Sequence, residues 1–157
     1  MSLLAQALDA AEKSKNLYIK SRVLGETGRL QLLVGEKDAA KKSLDEALRI
    51  DSLNNYPFHA LHLVYQAYFL LADDQTVNQG ILELEKARDA AISDQNYIAW
   101  VLAETALGAS YVHIGDVQHG IDILQSMNSG NVKLGSGTQG KKWHNDRWHC
   151  DVHKRRA

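Results

Sequence analysis

Four residues able to bind a metal fall within ten positions near the end of the chain: His144, His149, Cys150 and His153. Three imidazoles and one thiolate make a plausible tetrahedral zinc set. His149 and His153 are four apart, so a helix would place them on one face. Against this, His149 and Cys150 are adjacent, which suits one ion poorly, and the spacing matches no well-known zinc motif. The expectation is therefore no bound metal, with these four as the weak candidates. Just upstream, Gly135-Ser136-Gly137-Thr138-Gln139-Gly140-Lys141 has the glycine spacing of a phosphate loop, in which backbone N–H groups and the lysine reach a phosphate. Such a loop needs a strand before it, a Ser or Thr after the lysine and a helix beyond. Lys142 stands in the hydroxyl's place and no βαβ unit fits, so the stretch reads as a flexible Gly/Ser linker. Trp143, Arg147, Trp148 and Lys154-Arg155-Arg156 mix aromatic and basic groups. They could stack on bases and pair with phosphates, or dock on an acidic protein face. His59 and His62, three apart, are a further metal-type pair, read here as one exposed and one partly packed histidine. No G-x-S-x-G nucleophile turn is present, and Cys150 is the sole thiol, which excludes an internal disulfide framework. A non-enzymatic, cofactor-free protein is the expectation.

The elements that would have to position any site divide the chain unevenly. Its 157 residues, 45% apolar and 24% charged, suit one ordinary globular domain. The net charge of −1 conceals an asymmetry: residues 1–127 carry 11 Lys/Arg and 17 Asp/Glu, whereas 128–157 carry seven and two. Aliphatic side chains almost vanish after Leu134. A boundary is placed near Met127–Gly130, with residues 1–127 as the folded domain and 128–157 as a basic tail expected to be disordered or irregular. The break is abrupt enough to fit an altered reading frame or gene-model end as well. No run approaches the ~18 apolar residues of a membrane span, and Asp9 and Glu12 come too early for a leader. A cytoplasmic location without a membrane partner follows as the expectation, and nucleic acid is disfavoured for the acidic domain.

That domain repeats itself. Ala40/Leu44/Ala47, Gly80/Leu84/Ala87 and Gly120/Leu124/Met127 recur at intervals of 40. Spacings of four and three keep each triplet on one helix face. Gly28 and Gly108 are 80 apart, with Ala67 or Tyr68 between, each inside an apolar run of helical period. Glycine inside a helix costs ~1 kcal/mol against Ala, so its recurrence implies close helix approach. Asp9-Ala10-Ala11 with Asn16 recurs at Asp89-Ala90-Ala91 with Asn96, so Met1 falls within the second helix of a repeat. The periodicity predicts seven helices: about 2–14, 17–34, 37–50, 57–72, 77–92, 97–114 and 117–127. They group as a half repeat (2–14) and three repeats (about 17–50, 57–92 and 97–127). Gly35 and Gly115 suit left-handed positions after helix ends. Asn54 or Asn55 could cap a helix begun by Pro57, and Asp38, Asp94 and Asp116 fall near helix starts. No segment has a sustained period of two, so strands are not expected.

The pattern Leu107-Gly108-x-x-Tyr111 followed by Gly120, Leu124 and Met127, with its copy at Gly28, Gly35, Ala40, Leu44 and Ala47, resembles the tetratricopeptide repeat. The likeness covers about residues 2–127. The period is about 40 rather than the usual 34, as in the long-repeat variety, and Ser52 stands where the family usually has Pro. The resemblance implies an all-α, right-handed superhelix of antiparallel helices, an α-solenoid. It implies protein binding in a concave groove lined by the first helix of each repeat. In register, that groove would take Arg22, Gly25, Arg29 and Leu32, then Leu61, Val64, Tyr68 and Leu71, then Leu102, Thr105, Ala109, Val112 and His113. Tyr68 and Arg29 are the leading choices, since aromatics and Arg dominate hot spots. Core at helical spacing is the competing reading of Tyr65, Tyr68 and Phe69. The implied role is a scaffold binding a peptide or helix, as a fragment of a larger bacterial-type signalling or regulatory protein. The alternatives are a complete small adaptor or assembly subunit, and metal or nucleic-acid binding by the tail. Self-association through the incomplete terminal repeats is a further expectation.

Overall fold

The computed structural model describes residues 3–128, and these are all-helical. Seven helices follow one another: α1 (Leu3–Lys13), α2 (Leu17–Leu33), α3 (Lys37–Asn54), α4 (His59–Leu71), α5 (Val77–Ser93), α6 (Tyr97–His113) and α7 (Val117–Asn128). Among the described residues there is no strand. The candidate ligands His144, His149, Cys150 and His153, the glycine loop and the Trp/Arg motifs lie outside the described residues.

The turns carry a finer period than the repeat. Left-handed backbone occurs at Lys15 (φ 54°), Gly35 (φ 84°), Asn55 (φ 54°), Gln95 (φ 55°) and Gly115 (φ 92°), at intervals of 20 or twice that. Each helix-plus-turn unit thus occupies 20 residues. Gly35 and Gly115 accept this conformation without a Cβ penalty. The missing member, near residue 75, is a turn of another kind. There Thr76 Oγ1 donates to the Leu70 carbonyl at 2.7 Å, and the Asp73 side chain accepts from Gln75 N at 2.9 Å.

Three local expectations are corrected. α3 runs on to Asn54, four residues past the predicted end, because Ile50 and Asp51 remain on its buried face. Asn55 then closes α3 as its left-handed C-cap, and Asn54 Nδ2 bonds the Ile50 carbonyl at 2.7 Å. Neither asparagine caps α4, which begins at His59 after the Pro57 turn. Asp94 lies at the end of α5. The cap of α6 is Asn96, whose Oδ1 accepts from Ala99 N at 3.0 Å, as Asn16 Oδ1 accepts from Ile19 N at 3.1 Å in α2.

Short turns fold each helix back along its predecessor. Contacts are most extensive within the pairs α2–α3, α4–α5 and α6–α7, and α3–α4 and α5–α6 join the pairs. α4 also touches α2 and α6 directly, whereas α3, α5 and α7 do not touch one another. The central core unites Val64 and Ala67 of α4, Ile81, Leu84 and Ala87 of α5, and Ala103 and Leu107 of α6. Glycine sets how closely the pairs approach. A Cβ added at Gly28 would stand 2.6 Å from Leu44 Cγ and 3.1 Å from the Ala40 carbonyl oxygen. Eighty residues on, one at Gly108 would stand 2.5 Å from Leu124 Cγ and 3.2 Å from the Gly120 carbonyl oxygen. Gly80 and Gly120 are likewise filled against Leu71 and the Gly108 carbonyl. Ala40, Leu44, Ala47, Ala67, Leu84, Ala87 and Leu107 are fully buried, and Tyr111 packs against the central core. Leu124 departs from this set, at 39% exposed, because α7 has a helix on one side only.

Candidate partner-binding surface

The helices α2, α3 and α4 meet at a sealed polar network. Asp51 of α3 is fully buried and is approached from two sides. The Ser21 hydroxyl of α2 donates to its Oδ1, and His62 Nδ1 of α4 lies 2.7 Å from its Oδ2. The His62 ring sits directly on the bare face of Gly25. Serine, aspartate and histidine are the residue types of hydrolytic triads, but the order here is wrong. In a triad the imidazole stands between hydroxyl and carboxylate; here the carboxylate stands between the other two, out of reach of substrate. A buried carboxylate that lost one partner would cost several kcal/mol, so the network ties three helices together in one register. The two histidines of the predicted pair go different ways. His59 Nδ1 lies 3.5 Å from Ser52 Oγ, while His62 turns inward. Among the described residues no three His, Cys, Asp or Glu side chains converge as a metal would require.

Above this network lies a half-open cluster. Arg29 Nε donates to Glu26 Oε2 at 2.9 Å, and Tyr65 donates its hydroxyl to Glu26 Oε1 at 3.2 Å. The Arg29 guanidinium stands 5.9 Å from the Tyr65 ring centre, and the Tyr68 ring is 6.4 Å beyond. The hydrogen bond that Arg29 donates to Glu26 raises the Arg29 pKa further. Burial pushes the Tyr65 phenol up to about 12, with the Glu26 charge acting in the same direction. Burial also raises Tyr68. The cluster therefore offers neutral phenols and a permanently cationic, partly exposed guanidinium. It can donate hydrogen bonds and present aromatic faces. At the N-terminal end of the same seam the Arg22 guanidinium covers the Phe58 ring at 5.5 Å, and Tyr18 packs on Phe58 at 4.8 Å.

The predicted groove residues separate into four groups. Arg22, Gly25 and Arg29 of α2 meet Phe58, at the N-cap of α4, and His62 and Tyr65 within it, so they lie along the seam between two first helices. Val64 is fully buried; α5 and α6 enclose it, so it belongs to the core and not to a surface. Leu61 packs at the edge of the Ala60–Trp100 cluster, and Tyr68, Leu71 and Leu102 are half-buried on the central core. Leu32 is half-buried, whereas Thr105, Ala109, Val112 and His113 are exposed. His113 Nε2 lies 2.9 Å from Asp74 Oδ1. Tyr65 lies between the two leading choices, Arg29 and Tyr68, and is itself buried, whereas Tyr68 is half-buried. Glu26, Ser21 and Asp51 were missed. Polar residues at helical spacing on otherwise apolar faces were the available signal.

The chain matches no protein-family model, no curated protein and no solved structure. No helix of the described residues is long and apolar enough to cross a membrane.

Proposed function

We propose that the chain is a non-enzymatic interaction module: a right-handed α-solenoid of tetratricopeptide-like repeats that binds a peptide or helix of another protein. The observation that carries this reading is unequal packing. The first helices α2, α4 and α6 touch in series, and the second helices α3, α5 and α7 do not. A stack whose one layer is closer spaced than the other curves toward the closer layer, and stacked helix pairs expose a continuous concave face. α2, α4 and α6 are that face. Arg22, Arg29, Tyr68, Thr105, Ala109 and Val112 remain wholly or partly open on it. The repeated glycine contacts at Gly28 and Gly108 support a stack of equivalent units. The aromatic and guanidinium pair Tyr68 and Arg29 suits an anchor role, and the ligand it fits carries an acidic or hydrogen-bond-accepting group beside an apolar one.

A peptide library displayed against the full chain tests this. Binders recovered with the wild type are expected to weaken at least tenfold on Tyr68→Ala and on Arg29→Glu, with far-UV circular dichroism unchanged. Unaltered binding by both variants would contradict the concave face as the site.

A further inference from the structure

α3 and α5 each lie between two first helices, whereas α7 has only α6. The exposure of equivalent residues records the difference. Leu44 and Leu84 are fully buried, and Leu124, at the same place in its repeat, is 39% exposed; Ile81 is 5% exposed and Ile121 37%. On the first helices the same holds. Gly25 lies beneath His62 and Tyr65, 40 residues on, is 6% exposed, yet Thr105, a further 40 on, is exposed. The far end of the array is thus an apolar face of the shape that α4 fills on α2–α3 and α6 fills on α4–α5.

Charge and chain length point to one occupant. Residues 89–127 contain five Asp/Glu and no Lys/Arg, whereas the 29 residues beyond Asn128 contain seven Lys/Arg and two Asp/Glu. In sequence they follow directly on α7, the helix that carries the open face. α4 and α6 fill the equivalent places with 13 and 17 residues, so 29 are ample. The same stretch brings Trp143 and Trp148 as apolar bulk. We propose that the segment 129–157 docks across the open face of α6 and α7. Its tryptophans cover Ile121 and Leu124, and its cations match the acidic end of the array. Docking in this way closes the terminal repeat against self-association and sets the outer limit of the partner groove.

Cys150 is the sole cysteine, so a nitroxide can be attached there alone in the full-length chain. Amide resonances are then compared with the spin label oxidised and reduced. Docking predicts broadening confined to α6 and α7, Thr105, Ile121 and Leu124 included, independent of protein concentration and reduced by salt. Leu124→Asp is expected to abolish it. Trp143→Ala with Trp148→Ala should do the same with helicity intact. Broadening that is absent, spread over α1 to α3, or retained in the tryptophan variant overturns the proposal. Broadening that fades on dilution also overturns it, since the occupant would then be a second copy.

Discussion

Gly28→Ala and Gly108→Ala place the same methyl at equivalent points of two repeats, and the structure predicts different outcomes. Ala in place of an interior helical Gly gains about 1 kcal/mol of helix propensity. At Gly28 the new Cβ would stand 2.6 Å from Leu44 Cγ, roughly 1 Å inside normal carbon–carbon contact. Leu44 is fully buried, with α4 behind it, and cannot retreat. The Ala40 carbonyl at 3.1 Å blocks a backbone adjustment on the other side. Overpacking of this kind costs about 1–3 kcal/mol, occasionally more, which set against the propensity gain leaves a net loss of up to about 2 kcal/mol. At Gly108 the clash with Leu124 Cγ is as close, at 2.5 Å. Leu124, however, is 39% exposed on the outermost helix and can turn into solvent. The remaining contact with the Gly120 carbonyl at 3.2 Å needs a few tenths of an ångström, so the net change falls within about 1 kcal/mol of zero. Urea unfolding followed by circular dichroism reads both, with the slope expected to be unchanged. Leu44→Ala in the Gly28→Ala background should cost less than the sum of the two single changes, because the pair shares one contact. If Gly28→Ala raises the midpoint, or if the two substitutions behave alike, the close-approach argument is wrong.

Other outcomes follow from the buried and capping groups. Asp51→Ala leaves Ser21 and His62 facing a void and should lose about 1–3 kcal/mol for each partner left unsatisfied, against about 1 kcal/mol for Ser21→Ala; equal losses would mean that the carboxylate is not the hub. Asn16→Ala and Asn96→Ala should each cost about 1 kcal/mol. Asn96 should be the more sensitive, because its Nδ2 also bonds the Pro57 carbonyl at 2.8 Å, and thermal melts decide the order. The Tyr65 phenol, near 10 when unfolded and pushed up to about 12 in the fold, contributes stability that is intact below pH 10. That contribution is lost as pH rises through 10 to 12. Phenolate absorbance during an alkaline titration should show a late phase that Tyr65→Phe removes, and no change on that substitution would refute the assignment.

The helices were legible because nearly every signal that sets them is local. Glycine at 35 and 115, asparagine at 16 and 96, and the 40-residue spacing of Leu44, Leu84 and Leu124 each follow from one chain segment. What could not be read was how consecutive first helices face each other. Val64 and Tyr68 are four apart on α4, and one is sealed while the other stays half-open. That depends on where α6 lies. The Asp51 network needs residues 21, 51 and 62 in one place, a coincidence that no window of sequence displays. Asn55 was assigned to the wrong helix because an asparagine suits both an N-cap and a left-handed C-cap, and only the length of α3 decides between them.

The face of α2, α4 and α6 is the proposed partner-binding site. Amide chemical-shift mapping of the full chain, titrated with a peptide selected for binding, tests it directly. The shifts are predicted to cluster on Arg29, Tyr65, Tyr68 and Thr105, and to collapse in Tyr68→Ala with helicity kept. Shifts that cluster instead on the outward faces of α3 and α5, around Arg49, Leu82 and Lys86, would contradict it.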